Sequence, residues 1–274
     1  MIKGFMKFFL FTFFLYNFAA HSAVASVSEI KLCYEDVTVY PWITGDKQGL
    51  AIDELKLVEK NLKIKIKYIR LPWKRCQSQA KAGLIDGLIA ASFNKERTEW
   101  GTYPMDHNDK LDREYRLHTD SFHVYVRKDS KISWKNSSFH NVGTSPVGVQ
   151  LGYSVGDDVQ KAGYHTNSSF KTAYDLLKGL DRGMIRLAVL QNHAVLKTLM
   201  ENPELGKNIE RQDEPFKVAD QYVLFNTVFF NKNRELCIKL WRGVSVARNS
   251  QEYQKHEQAF FKNLPAIKTD TANF

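Results

Sequence analysis

A chain of 274 residues, 43% of them hydrophobic and 25% charged, is long enough for two lobes or one large α/β domain. After its first residues it holds no apolar run of transmembrane length. Its formal charge of +9 falls to +7 without Lys3 and Lys7, and the other lysines are interspersed with Asp and Glu, which fits a solvated surface and gives no nucleic-acid partner.

Residues 1–25 read as a cleaved secretory signal peptide. Lys3 and Lys7 form the basic start, Phe8 to Ala20 is an apolar core of 13 residues, and Ala23-Val24-Ala25 offers the cleavage site. No cysteine stands directly after that site, where Ser26 is, which argues against a lipid anchor. The expected compartment is therefore oxidising. Three cysteines, Cys33, Cys76 and Cys237, cannot all pair, so one disulfide and one buried thiol is the simplest count. Neither their spacing nor that of the eight scattered histidines fits a metal motif, and no cofactor is expected.

In chain order, Ile30–Tyr34 is a strand that ends in Glu35-Asp36. The loop after it carries Tyr40, Pro41 and Trp42, aromatics that could form a cleft wall or cap the core. Gly49–Leu62 has a helical apolar stripe, Lys63–Tyr68 alternates as a half-solvated strand, and Pro72 closes that strand. A helix then places Trp73, Cys76 and Ala80 on one stripe and stops at Gly83. The stretch Gly83–Pro104 follows. Its nearly unbroken apolar strand, Ile85–Ala91, reads as central in a parallel sheet, and ligands sit beyond the carboxyl ends of such strands. Ser92, Asn94 and Arg97 arrive at that edge, so they could clamp a carboxylate. Arg97 could equally be a surface residue paired with Glu96 or Glu99.

Residues 105–120 are charged and read as loop, Ser121–Lys128 as an exposed strand, and Lys131–Ser145 as an irregular insertion. A second unit starts with the strand Val147–Gly152. Tyr153-Ser154 leads into a short helix, with Ser154 and Asp157 at N-cap spacing. Ser169–Gly179 is expected to be helical, Ile185–Leu190 a strand ending at Gln191-Asn192, and His193–Met200 helical. Tyr222–Phe230 reads as an apolar strand, with amphipathic helices over Arg234–Val246 and Gln251–Leu264, and the tail Thr269–Phe274 looks frayed.

Arranged this way, Ser26 to about Leu264 resembles the extracytoplasmic solute-binding proteins of family 3, the polar amino-acid type of ABC-importer receptor. Gly83-Leu84-Ile85-Asp86 matches the family's G-x-x-D strand, Asn94-Lys95-Glu96-Arg97 stands for its T-x-E-R turn, and Gly101-Thr102-Tyr103-Pro104 loosely replaces its aromatic-proline exit. Gly148–Gly152 is similar to the second-lobe strand, and Leu71-Pro72-Trp73-Lys74-Arg75 resembles a divergent branch.

The resemblance implies a periplasmic-binding-protein-like type II flytrap, two α/β lobes joined by crossover strands near residues 120–128 and 219–230. Lobe 1 would take residues 26–122 and 224–268, and lobe 2 residues 123–223. Arg97 would hold a ligand carboxylate with Ser92 or Asn94 and with Tyr153-Ser154, while Tyr40, Trp42 and Trp73 form the wall. Where the family has an acid for the ligand ammonium this chain has Gln191, and Glu35 or Asp36 could compensate. The implied protein is a periplasmic monomer that hands a small polar or anionic solute to a membrane permease, or signals to a receptor. No nucleophile or paired-carboxylate signature suggests an enzyme. Cys33 and Cys76, both in lobe 1, are the preferred disulfide, with Cys237 left as a thiol.

Overall fold

The computed structural model describes residues 29–262; the segment 1–25 read as a signal peptide, Leu264 and the tail Thr269–Phe274 lie outside them. The first unit runs β1 (Ile30–Glu35), α1 (Leu50–Leu62), β2 (Ile66–Leu71), α2 (Trp73–Lys81), β3 (Gly87–Ser92) and the short β4 (Gly101–Thr102). The long β5 (His118–Arg127) leads out of it. The second unit holds β6 (Ser133–Lys135), β7 (Ser138–His140), β8 (Val147–Gln150), α3 (Val155–Lys161), β9 (Thr166–Phe170), α4 (Ala173–Asp181), β10 (Leu187–Gln191) and α5 (Asn192–Glu201). The chain returns along the 18-residue β11 (Ile209–Asn226) and ends in α6 (Thr227–Lys232), α7 (Arg234–Arg248) and α8 (Gln251–Lys262).

One sheet, ordered β2-β1-β3-β11-β5-β10-β8-β9, runs through both units. In the first unit β1 pairs in parallel with β2 and β3, and in the second β8 pairs in parallel with β9 and β10. The antiparallel pair β5–β11 joins the units. Each half of the sheet is buried on both faces. In the first lobe, one core packs α1, α7 and α8 and the other packs Cys33, Cys76, Ala80, Ile85 and Leu88. In the second, one core holds Val147, Val155 and Trp134, the other Leu176, Leu180 and Val195. Along β5 the core membership changes between Leu117 and Phe122, and along β11 between Ala219 and Val223. Cys33 and Cys76 form a disulfide, and Cys237 is a buried free thiol.

β3 is central, as its apolar sequence demands. Its interrupting Gly87 has a packing cause: a Cβ there would sit 2.5 Å from the Leu224 carbonyl of β11. At Ala90 the backbone turns left-handed (φ 59°), beside a register shift between Tyr222 and Leu224. Such a bulge re-aims the strand end that carries Ser92.

Five local expectations are corrected. Ser121–Lys128 is not exposed, since β5 lies between β11 and β10 and most of it is buried. Lys131–Ser145 is not irregular. It folds into a hairpin through Asn136 and Ser137, both at positive φ as a two-residue primed turn requires, and it buries Trp134 against Phe139. Ser169 belongs to β9, and the helix starts only at Ala173, where Thr172 and Asp175 make a reciprocal capping box. Ser154 makes no side-chain cap bond. The strand read as Tyr222–Phe230 stops at Asn226, whose side chain accepts the Phe229 N–H (3.0 Å) and caps α6. Phe229 and Phe230 then pack at helical spacing against Phe225 and Trp241.

Candidate functional site

The carboxyl ends of β1, β3, β8 and β10 converge where the lobes meet, and each delivers polar groups there. β1 ends in Glu35 and β3 in Ser92, the turn after β8 carries Gly152, Tyr153 and Ser154, and β10 ends in Gln191. A cavity of about 40 Å³ lies among them, walled by Trp42, Trp73 and Phe122. It has room for a few waters at most, because one water needs about 10–15 Å³ of such volume.

Arg97 sits on the 3-10 turn Glu96–Glu99 and is 5% exposed, so the surface alternative is not adopted. Its Nη1 donates to the Ser92 carbonyl (2.8 Å), which also accepts the Tyr103 hydroxyl (2.7 Å). Its Nη2 crosses to the Gly152 carbonyl (3.2 Å), and the guanidinium lies 5.5 Å from the centre of the Trp73 ring. Further bonds bind lobe to lobe. Trp73 Nε1 and Gln77 Nε2 donate to the same Gly152 carbonyl (3.1 and 3.0 Å). The Tyr153 hydroxyl bonds Glu35 Oε1 (2.5 Å), the hydroxyls of Ser92 and Ser154 meet at 2.6 Å, and Asn94 Nδ2 bonds Asp157.

The electrostatics follow from burial. Loss of water pushes the Glu35 carboxyl up to about 8, against the pull of the Tyr153 bond and with a smaller push from Asp36. Burial, and then its neighbour His193, holds His118 well below the usual imidazole range, so it is neutral at pH 7. For His193, burial acts downward, but the charge of Asp120 and its hydrogen bond (3.1 Å) prevail and hold it above its ordinary value. Gln191 is 5% exposed, and its Oε1 lacks a hydrogen-bond partner among the described residues.

Of the residues singled out from sequence, Arg97, Ser92, Trp42, Trp73, Tyr153, Ser154, Gln191 and Glu35 all line this cavity. Asn94 faces a larger opening of about 300 Å³ on the other side of Arg97. Tyr40 is elsewhere: its hydroxyl donates to the Phe260 carbonyl (3.0 Å) and its ring lies under Lys197. Sequence reasoning missed His118, whose ring stacks on Trp42 (3.8 Å between centroids), and Asp120, 2% exposed. Asp120 accepts from Trp42 Nε1 of lobe 1 (3.2 Å) and bonds His193 of lobe 2, so it ties the lobes at the start of β5. Asp120 lies in the polar start of β5, His118-Thr119-Asp120-Ser121, so nothing in the local sequence marked it. Gln77, a polar residue on a short helix, was equally unmarked.

Among the described residues no helix is long and apolar enough to cross a membrane. No curated protein sequence matches the chain. Solved structures of similar fold include a histidine kinase sensor domain with similarity to periplasmic binding proteins (TM-score 0.68, 14% identity, covering 84% of this chain and 95% of that one). An ancestral arginine-binding protein bound to glutamine aligns with TM-score 0.66 and 20% identity over 86% of this chain and 98% of its own. The arginine-, lysine-, histidine-binding protein ArtJ from Geobacillus stearothermophilus gives 0.66 and 15% over 88% and 98%. At these identities the likeness is one of fold, a bilobed α/β architecture. A sequence profile carries it further, matching residues 36–263, and by that match the chain belongs to the bacterial extracellular solute-binding proteins, family 3.

Proposed function

We propose that this chain is an extracytoplasmic receptor that captures a small polar or anionic solute, an amino acid or related carboxylate, between its lobes and presents it to an ABC-type importer. The observation that carries the reading is the Arg97 guanidinium, buried at the lobe junction and bonded to carbonyls, with no carboxylate partner among the described residues. A planar fork of donors suits a carboxylate better than any neutral acceptor. Ser92, Trp42 and Trp73 complete the lobe 1 side, and Gln191 and the Tyr153-Ser154 turn face them. Lobes split near 122/123 and 223/224 would move by twisting β5 and β11, which are the segments joining them.

A second reading, a sensing subunit that signals by the same closure, is favoured by the likeness to a histidine kinase sensor domain. Permease or sensor-kinase genes beside this one would separate the two. The test of solute capture is a thermal-shift screen of the chain lacking residues 1–25 against amino acids, small carboxylates, polyamines and short peptides. A ligand raises the melting temperature by mass action. Arg97→Ala is expected to remove that rise, with affinity weakened about thirtyfold or more. A full shift persisting in Arg97→Ala would take Arg97 out of the site.

A further inference from the structure

Three donors from lobe 1 converge on one backbone oxygen of lobe 2. Trp73 Nε1, Gln77 Nε2 and Arg97 Nη2 all reach the Gly152 carbonyl, at 3.1, 3.0 and 3.2 Å. A carbonyl oxygen has two lone pairs, so three donors exceed what it can satisfy, whereas an ionised carboxylate offers about four sites over two oxygens. Bonds to a charged acceptor are also about twice as strong as bonds between neutral groups. The donor set is therefore matched to an anion better than to the group it holds. Gly152 reaches it only by close approach. It stands at φ +81°, and a Cβ there would lie 3.1 Å from the Lys74 methylenes of α2.

The residues after it behave alike: Tyr153 bonds Glu35 and Ser154 bonds Ser92. The turn thus covers, in succession, lobe 1 groups that a solute would use. We propose that Trp73, Gln77 and Arg97 form a carboxylate cradle, and that the Gly152 carbonyl is its built-in occupant, which a carboxylate solute displaces. The proposal rests on the reading of the lobe junction as a solute site and adds one member, Gln77, and a competitor to it. Because occupant and solute compete, the strength of the turn's grip sets the apparent affinity.

The test is calorimetric titration of the chain lacking residues 1–25 with L-glutamine, L-glutamate and sodium L-lactate. Gln77→Ala and Trp73→Phe each remove one donor and are expected to weaken binding about fivefold to tenfold, since the bond lost to a charged solute outweighs the bond lost to the competing carbonyl. Gly152→Ala strains the turn in its seated form and is expected to tighten binding about fivefold to thirtyfold. If the alanine variant does not fold, Gly152→Asn, which tolerates the left-handed backbone and still presses on Lys74, takes its place. Unchanged affinity in both donor variants, or weaker or unchanged binding in the Gly152 variant, overturns the cradle while solute capture stands. Absence of binding by all three probes to the unmodified chain, together with no thermal shift in the wider screen, overturns solute capture and the cradle together.

Discussion

Replacing Cys33 and Cys76 together with alanine is expected to lower the melting temperature by roughly 8–16 °C. The bridge spans 43 residues, and a closed loop of that size restricts the unfolded chain by about 4 kcal/mol, with about 2–4 °C lost per kcal/mol in a chain of this length. Packing does little to replace it. α2 has nine residues and buries only Cys76 and Ala80, so the covalent link to β1 holds it to the sheet. The same helix carries Trp73 and Gln77, so the double variant should also loosen their bonds to Gly152. Calorimetric melts of the variant, and of the unmodified chain with and without reductant, provide the measurement. A melting temperature like that of the oxidised chain would mean that packing holds α2 to the sheet without the bridge.

The second large effect is a pH dependence centred on Glu35. With its carboxyl raised from 4.5 to about 8 in the closed arrangement, the folded chain binds a proton there that an unfolded or parted form releases. The contribution to stability is therefore fully present below pH 4.5 and is lost as pH rises through about 8. Across that window the slope approaches about 1.4 kcal/mol per pH unit, stability falling as pH increases. Glu35→Gln keeps a polar partner for Tyr153 and has no proton to lose, so its melting temperature should fall less steeply with pH than that of the unmodified chain, the remaining slope coming from Glu54 and Glu257, whose carboxyls burial also raises. Melting curves between pH 5 and 9 decide it. Parallel slopes for the two proteins would show that Glu35 keeps its ordinary titration.

What the sequence made legible follows from period and punctuation. The first unit reads cleanly because each element is closed by a residue with one physical meaning: Pro72 at the start of α2, Gly83 at its end, and the apolar run of β3. The second unit reads less well. Asn136-Ser137 makes a primed turn without the glycine that usually announces one, and β9, TNSSF, is too polar to signal a strand. Phenylalanines at 229 and 230 suggest a strand until the Asn226 cap is known. Position within the site was legible wherever a residue ends a parallel strand, as Glu35, Ser92 and Gln191 do. Asp120 and His118 were not, since their roles come from contacts between segments far apart in sequence, Trp42 and His193.

The last consequence concerns β11. Its first half completes the ladder of one lobe and its second half that of the other, against β5 and then β3. Neither half of the polypeptide therefore owns all of its own framework. Truncation to either one would leave a raw, sticky margin where a neighbour should be, an invitation to aggregate. In denaturant the intact protein should come apart in a single step, both halves giving way together.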